Sequence, residues 1–166
     1  MLSRVADNLY WMSRFIERAE CITRMVEVNQ SSSLEFIEDA LSEFWEPVLK
    51  AICASEIFNE HTKIDIGQFL FFGSGFPNSV KNCFLYAREN ARMVRDQLSV
   101  EMWVELNNIY LFFQSGQAEA TFLQNPQEFF QKVIRFSLVF QGLSGATIPH
   151  DEGWRFMALG TYLERA

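Results

Sequence analysis

The sequence predicts an all-α protein, built as an up-down bundle of long amphipathic helices. Only four Pro and eight Gly interrupt the 166 residues, which favours long continuous elements over many turns. Apolar residues recur at spacings of three and four in several stretches, as they do on a helix face that packs on a core. Alternation of apolar and polar residues between hairpin dipeptides, the mark of a half-buried strand, is missing from the sequence.

The first predicted helix begins at the N-cap candidate Ser3 and runs to about Asn29. Its apolar stripe consists of Leu2, Val5, Leu9, Met12, Ile16, Ala19 and Val26. The serines at 31–33 break this pattern, and a second helix is expected over 34–44. Pro47 either kinks that helix or begins a further short one, because proline is tolerated in a first turn but not in a helix interior.

The middle of the chain alternates loop segments with helices. Residues 55–63 are polar and predicted to be a loop, and residues 64–72 form a short buried helix that Gly73 ends. Asn78 or Ser79 caps the next helix. That helix carries the clearest apolar stripe in the sequence: Val80, Phe84, Ala87, Ala91, Val94 and Leu98.

Three more helices are expected in the last part of the chain. Ser99 begins the first of them, and a polar connection follows over 114–125. Pro126 suits the first turn of the next helix, which Gly145 closes. Asp151 then caps the last helix, which runs to the end of the chain.

Length and composition limit the classes of function. Residues 1–166 should form one domain, because a chain of this length with 49% hydrophobic residues can bury well over half of its unfolded surface. A net charge of −7 disfavours a nucleic-acid partner, which would need clustered Lys and Arg. The apolar runs are far shorter than a membrane span and no signal core opens the chain, so we expect a cytoplasmic protein with no membrane partner.

The sequence shows no signature of a metal or cofactor site. Its two histidines stand alone and its three cysteines form no closely spaced pair, so neither a metal centre nor a disulfide framework is predicted. The Gly-Ser-Gly at 73–75 does not lie between a strand and a helix, so it is better explained as a helix terminator than as a phosphate loop. We therefore predict no cofactor and no metal.

One face of the first helix is unusually rich in arginine. At 100° per residue, the residues on this face, opposite the apolar stripe, are Arg4, Asp7, Trp11, Arg14, Arg18 and Cys21. Glu17 borders the face, within reach of Arg14. Arginine makes forked hydrogen bonds and stacks on indole rings, whereas a simply solvated face usually carries Lys, Glu and Gln. The face therefore predicts a specific contact.

Two later helices repeat parts of this arrangement. The last helix places on one side Asp151, Trp154, Ala158, Thr161 and Arg165, with Glu164 beside them. The helix that follows residue 79 adds Arg88, Arg92 and Arg95, flanked by Glu89 and Asp96. Two interpretations are open: a buried charge network that clamps helices together, or a pocket for an anionic ligand.

The Glu-Arg-Ala at 17–19 is echoed at 164–166, and each copy follows an aromatic-aliphatic pair. Together with the arginine-rich stretch at 87–103 and the Asp-Glu-Gly-Trp at 151–154, these motifs resemble the Alpha-E family, bacterial helical domains named for a Glu-Arg motif. The resemblance spans the whole chain. A single Glu-Arg would carry no weight, whereas this string of spaced motifs is specific.

The resemblance implies a context more than a reaction. Alpha-E domains look like companions of ATP-grasp-type ligases and transglutaminase-like proteins in systems that make or modify peptides, and the resemblance brings over no catalytic residue. Thr161 stands where the family usually has arginine, which would weaken the second motif. Family members generally continue past that motif, so we expect a domain truncated at its C-terminal end, with exposed apolar surface that favours self-association.

The sequence leaves three functional hypotheses open. In the first, the chain is a non-catalytic accessory domain that docks an ATP-grasp-type ligase or presents a peptide or metabolite. In the second, it is an enzyme that uses Glu17 or Glu164 as an acid-base group steered by arginine, or a protein that binds a small molecule or peptide through these carboxylates and the Arg-Trp face. In the third, the motif residues only set helix register. The discriminating observation is whether the two carboxylates lie in an open cleft or are enclosed against arginine.

Overall fold

The computed structural model describes residues 1–33, 41–60 and 65–166. Within these ranges all regular elements are helical, which confirms the all-α prediction. The α-helices are α1 Ser3–Ser33, α2 Leu41–Ala51, α3 Ser55–Glu60, α4 Ile66–Phe72, α5 Val80–Met93, α6 Val100–Gln114, α7 Gln117–Gln124, α8 Pro126–Thr147 and α9 Glu152–Arg165, with a 3₁₀-helix over Arg95–Gln97 between α5 and α6. None of the described helices combines the length and the hydrophobicity needed to cross a bilayer.

The long helices α1, α5, α6, α8 and α9 alternate in direction, as in an up-down bundle. Ring contacts between Phe84 and Phe113 and between Phe113 and Phe129 link successive antiparallel neighbours. Because four reversals separate α1 from α9, these two helices run in the same direction side by side. The topology therefore brings the two Glu-Arg segments of the sequence level with one another.

The helix caps are the best-predicted local features. Ser79, Ser99 and Asp151 each accept hydrogen bonds from backbone amides two or three residues further on, as N-cap side chains do. Asn125 caps α8 in the same way, and Pro126 lies in the first turn of that helix. Side-chain oxygens that satisfy otherwise unpaired amides thus fix where these helices begin.

Helix α1 is longer than predicted. It continues beyond Asn29 through the serine triplet to Ser33, because serine only weakens a helix by a few tenths of a kcal/mol per residue and does not break it. Ser3 is the first helical residue and not the cap. The apolar stripe is also shorter than predicted at its start, since Leu2 is exposed and full burial begins near Leu9.

Two segments predicted to be loops contain helices. Residues 55–60 form α3 and residues 117–124 form α7, although both are short and polar. Each helix is held by an aromatic ring on its inner side: Phe58 packs edge-on to Phe69, and Phe122 packs on Phe71. One or two anchoring rings are too few to produce a periodic pattern, which is why the sequence did not reveal these helices.

The boundaries near Pro47 and Gly145 also differ from the prediction. Pro47 lies inside α2, where burial of Val48 and Leu49 compensates for the hydrogen bond that proline cannot donate. The predicted helix over 34–44 falls partly outside the described residues. Gly145 does not close α8, which continues to Thr147, because glycine in an otherwise well-anchored helix costs only about 1 kcal/mol.

Helix α1 forms the centre of the domain. Helices α5, α8 and α9 all pack along it. Its buried side consists of Leu9, Met12, Ile16, Ala19, Ile22 and Val26. Phenylalanine rings fill the opposite part of the core, where Phe71, Phe129 and Phe130 are each almost completely buried and contact one another. Burying α1 on three sides fixes its rotation, and with it the direction in which its charged residues point.

Gly160 allows α9 to approach α1 closely. A Cβ atom at this position would lie 2.4 Å from the carbonyl oxygen of Tyr10, so any larger residue would push the helices apart. Gly142 on α8 has no atom within 4 Å of such a Cβ position and is a matched helical glycine without a packing role. The close approach at Gly160 sets the spacing at which α1 and α9 side chains meet.

We expect Gly160→Ala to destabilise the protein by roughly 1–3 kcal/mol, the usual cost of overpacking an interface. Gly142→Ala should be neutral or stabilising by up to about 1 kcal/mol, because alanine is the better helix former. Urea denaturation of both variants measures the difference. Equal effects of the two substitutions would contradict the proposed role of Gly160.

Candidate functional site

The two Glu-Arg segments exchange ion pairs across the α1–α9 interface. Arg14 Nε donates to Glu164 Oε2 at 2.7 Å, and Arg18 donates to both oxygens of Glu164 at 2.6 and 2.9 Å. In the opposite sense, Arg165 donates to the two oxygens of Glu17 at 2.5 and 3.2 Å. We call Arg14, Glu17, Arg18, Glu164 and Arg165 the crossed Glu-Arg clamp. Each motif thus supplies the counter-ion of the other.

The spacing of the clamp residues along α1 and α9 brings their side chains within reach of one another. Arg14 and Arg18 are four residues apart, so both guanidinium groups lie on one side of α1 and converge on a single carboxylate of α9. Glu164 and Arg165 are adjacent, so on α9 they point about 100° apart and reach α1 on either side of its ridge. Glu164 occupies the position that an anionic ligand of Arg14 and Arg18 would take.

Three further side chains complete the clamp. Tyr10 accepts a hydrogen bond from Arg14 at 2.9 Å, and Asn78 accepts one from Arg18 at 2.8 Å. Gln141 of α8 accepts one from Arg165 at 3.2 Å. Tyr10 could have been found from its helical spacing to Arg14, whereas Asn78 and Gln141 lie far away in sequence and no local pattern marks them.

Glu20 forms a second buried carboxylate next to Glu17. Both side chains are almost fully buried, at 2% and 4% exposure for Glu17 and Glu20. The amide of Gln141 donates to both, at 3.0 Å to Glu17 and 3.2 Å to Glu20. Their arginine partners, Arg165 and Arg24, are by contrast 43% and 47% exposed. Negative charge is therefore enclosed here while the compensating positive charge faces water.

The two motif carboxylates differ in their electrostatic environment. Burial raises the pKa of Glu17, the nearby charge of Glu20 raises it further, and the hydrogen bonds from Arg165 offset only part of this effect. Burial would also raise the pKa of Glu164, but the hydrogen bonds from Arg18 and Arg14 outweigh it and lower that pKa below its ordinary value. The negative charge is thus stabilised at Glu164 and costly at Glu17.

The buried thiols are not activated. Burial, reinforced by the neighbouring carboxylates, raises the pKa of Cys21 to about 11, and its thiol donates to Glu17. Burial raises the pKa of Cys83 to about 12, in spite of the nearby charge of Arg18. Both remain protonated at neutral pH, and a protonated thiol is a poor nucleophile.

Trp11 lies beside the clamp, whereas Arg4 and Asp7 of the α1 face lie outside it. The guanidinium carbon of Arg14 is 5.5 Å from the centre of the Trp11 ring, within the range of a cation-π contact. Arg4 and Asp7 are exposed near the start of α1. The predicted face therefore has an exposed part near the start of α1 and a second part, from Trp11 to Arg18, whose side chains contact other residues.

Arg88 of α5 and Arg95 of the 3₁₀-helix point to α6 and not to the clamp. Arg88 lies 4.3 Å from the centre of the Tyr110 ring and donates to Asn107 at 2.7 Å. Arg95 lies 5.3 Å from the centre of the Trp103 ring, which Arg88 also approaches. These contacts form a separate aromatic-cation cluster that joins α5 to α6.

The remaining predicted residues have local roles. Glu89 pairs with Arg92 at 2.8 Å, where the Arg92 side chain is 62% exposed, and Asp96 accepts a hydrogen bond from its neighbour Gln97. Asp151 caps α9, and Trp154 stacks on His150 with ring centres 4.1 Å apart. Over the described ranges, no group of three His, Cys, Asp or Glu side chains could hold a metal ion.

The whole chain, residues 1–166, matches the model of a family named Alpha-E, described as a predicted alpha-helical domain with a conserved ER motif. The chain belongs to the Alpha-E family. Glu-Arg occurs in this chain at 17–18 and at 164–165, and the structure places both pairs in the clamp. The resemblance read from the sequence motifs is therefore confirmed.

Proteins of Mycobacterium bovis and of two strains of Mycobacterium tuberculosis, each called uncharacterised, are similar to this Alpha-E chain. They are 25%, 25% and 24% identical to it over 187 aligned positions, which cover 98% of the chain. The chain spans 21% of the length of these relatives. No solved structure matches it.

The pKa directions predict opposite effects for neutralising the two carboxylates. Glu164→Gln should destabilise the domain by roughly 1–3 kcal/mol at pH 7, because it leaves Arg14 and Arg18 without their shared partner. Glu17→Gln should cost less or stabilise, because it removes a buried charge while Arg165 can turn to water. Urea denaturation at pH 7 tests this order, and a larger loss for Glu17→Gln would contradict it.

The same pKa directions predict how the contribution of each carboxylate to the free energy of unfolding depends on pH. The pKa of Glu164 is lowered on folding, so its contribution is present above its ordinary pKa of 4.5 and is lost as the pH falls through the folded value. The pKa of Glu17 is raised, so its contribution is present below 4.5 and is lost as the pH rises through the folded value. The destabilisation by Glu164→Gln should therefore shrink on acidification, as denaturation at pH 7 and below pH 4.5 can show.

Proposed function

We propose that this Alpha-E domain is a non-catalytic accessory that docks an ATP-grasp-type ligase in a system that makes or modifies peptides. The observation that carries the proposal is the crossed Glu-Arg clamp. Both motif carboxylates already bind arginine within the domain, so the most distinctive residues of the chain hold two helices together. Because both carboxylates are paired with arginine across the α1–α9 interface, a structural role of the motif is favoured over a catalytic one.

The state of Glu164 argues against acid-base catalysis by this residue. Three hydrogen bonds from Arg14 and Arg18 occupy its oxygens, and its side chain is only 12% exposed. A general base must reach the proton that it abstracts and needs a pKa near the working pH. The lowered pKa of Glu164 makes it a weaker base.

The outer face of α9 supports docking. Phe156, Leu159, Tyr162 and Leu163 are exposed along this helix, and a groove of about 880 Å³ runs beside it, with Tyr10 and Ala6 of α1 on its other side. A contiguous exposed apolar patch of this kind is typical of an interaction surface. The clamp lies on the inner side of the same helix and fixes the position in which the patch is presented.

The lengths of the relatives fit the same proposal. A domain that accounts for 21% of a longer protein works beside other domains of that protein. A partner on a separate chain would meet the same surface. Because the exposed patch of α9 is the apolar surface described above, we propose that the ligase contacts this patch.

The second candidate function is binding of a small molecule. Glu17, unlike Glu164, borders a cleft between α8 and α9. The oxygens of Glu17 accept hydrogen bonds from Arg165, Gln141 and Cys21, which favours a binding role over proton transfer.

We expect Leu159→Asp to reduce binding to an ATP-grasp-type ligase of the same organism by at least about tenfold, because it places a charge in the apolar interface. Leu123→Asp on α7 is the control, since it changes an exposed leucine on another helix, 71% exposed against 46% for Leu159, and should bind like the wild type. Biolayer interferometry with the purified ligase measures both affinities.

The control for this experiment is sedimentation velocity of the domain alone at micromolar concentrations. The apolar patch of α9 also supports self-association, which would compete with the ligase and should likewise disappear in Leu159→Asp. Absence of ligase binding by a wild-type domain that sediments as a monomer would refute the docking proposal. Equal binding by both variants would move the contact away from α9.

A further inference from the structure

A cleft of about 150 Å³ separates α8 from α9. Both helices pack along α1, which forms its floor through Ser13, Ile16 and Glu17. Arg165 bridges to Gln141 at one end, and at the other end His150 of the α8–α9 connection stacks on Trp154. An apolar cavity of this size elsewhere holds one benzene ring, so the cleft suits a molecule with a short chain or a single ring.

The walls of the α8–α9 cleft are largely apolar. Phe140 lines it from α8, and Trp154, Met157 and Tyr162 line it from α9. Phe140 and Met157 are both nearly fully buried. A ligand that enters between them would therefore need an apolar body that replaces water along these side chains.

The polar groups of the cleft lie on its α1 floor and at the end where Arg165 contacts Gln141. Ser13 is 6% exposed and Thr161 partly buried, and both line the cleft. Ser13 is one turn before Glu17 on the same side of α1, so its hydroxyl and the Glu17 carboxylate face the same space.

The buried charge beside the Arg165–Gln141 end of the cleft is negative, although each carboxylate there is paired with an arginine. Glu17 and Glu20 are buried side by side, while Arg165 and Arg24, which pair with them, are nearly half exposed and partly screened by water. The raised pKa of Glu17 agrees with this imbalance. A positive charge that enters the cleft would meet the less screened carboxylate.

We infer that the α8–α9 cleft binds a primary ammonium group on a short apolar chain. The ammonium donates to Glu17 and Ser13, and the chain packs between Phe140 and Met157. The ammonium group takes the place of the longer of the two hydrogen bonds from Arg165 to Glu17, at 3.2 Å. This exchange is feasible because the exposed Arg165 side chain can turn to water. This inference rests on the second candidate function and does not require ligase docking. It assigns the cleft a ligand of opposite charge to that predicted for the arginine-rich face.

The ligand chemistry is tested with three molecules of similar size and different charge: butylammonium, butyrate and 1-butanol. We expect butylammonium to bind at least about tenfold more tightly than the other two, since only its ammonium makes a charge-assisted hydrogen bond with Glu17. Titration followed by ¹H–¹⁵N NMR of the uniformly labelled domain gives affinities and the site, with the largest shifts expected at the cleft residues. Nα-acetyl-lysine methylamide, added as a further arm, distinguishes a lysine side chain as the source of the ammonium from a free amine.

Two variants test the site in different ways. Glu17→Gln removes the carboxylate, and Ser144→Leu fills the cleft while leaving Glu17 in place; Ser144 bonds only within its own helix, so the second change should leave the fold intact. Each should weaken butylammonium binding at least about tenfold. Glu101→Gln, a neutralised glutamate on the exposed start of α6, is the matched control and should bind like the wild type.

The inference is overturned if butylammonium does not bind at tens of millimolar, if butyrate or 1-butanol binds as well as butylammonium, or if Ser144→Leu retains wild-type affinity. Loss of the NMR spectrum of folded protein in Glu17→Gln leaves Ser144→Leu as the deciding variant. Binding of the lysine derivative and of butylammonium to the same residues would identify a peptide lysine as a ligand. Binding of butylammonium alone would identify a free amine.

Discussion

The exchange of ion pairs between α1 and α9 is the interaction on which the arrangement of this domain depends. Two parallel helices that carry the same Glu-Arg sequence can each satisfy the other, because the glutamate of one meets the arginine of the other. A buried ion pair contributes little more net stability than an apolar contact would, but a buried charge without a partner is costly. The clamp therefore acts mainly by excluding other registers of α9 on α1.

Topology and packing make this exchange feasible. The up-down order of the long helices returns the last helix to the direction of the first, and Gly160 brings the two backbones close enough for short side-chain bonds. Thr161 stands where the family resemblance implies arginine, and it lines the α8–α9 cleft. The second motif thus has less positive charge than the first, which leaves Glu17 with a single arginine while Glu164 has two.

The sequence predicted the helical class, most caps and the charged segments of the clamp, because these depend on helical periodicity and on local hydrogen bonds. It did not predict that Arg88 and Arg95 turn to Tyr110 and Trp103, since only packing decides which neighbour these arginines meet. Nor did it reveal Gln141, whose amide joins Glu17 to Glu20 from a distant helix. Long-range contacts of this kind have no local signal.

The central claim is that the clamp couples α1 to α9 energetically. A double-mutant cycle with Arg18→Met, Glu164→Gln and the double variant, measured by urea denaturation at pH 7, tests it most directly. We predict a coupling free energy of roughly 1–3 kcal/mol between the two side chains, as for residues in one buried network. Additive effects, with a coupling below about 0.5 kcal/mol, would contradict the account and reduce the Glu-Arg pairs to neighbouring but independent charges.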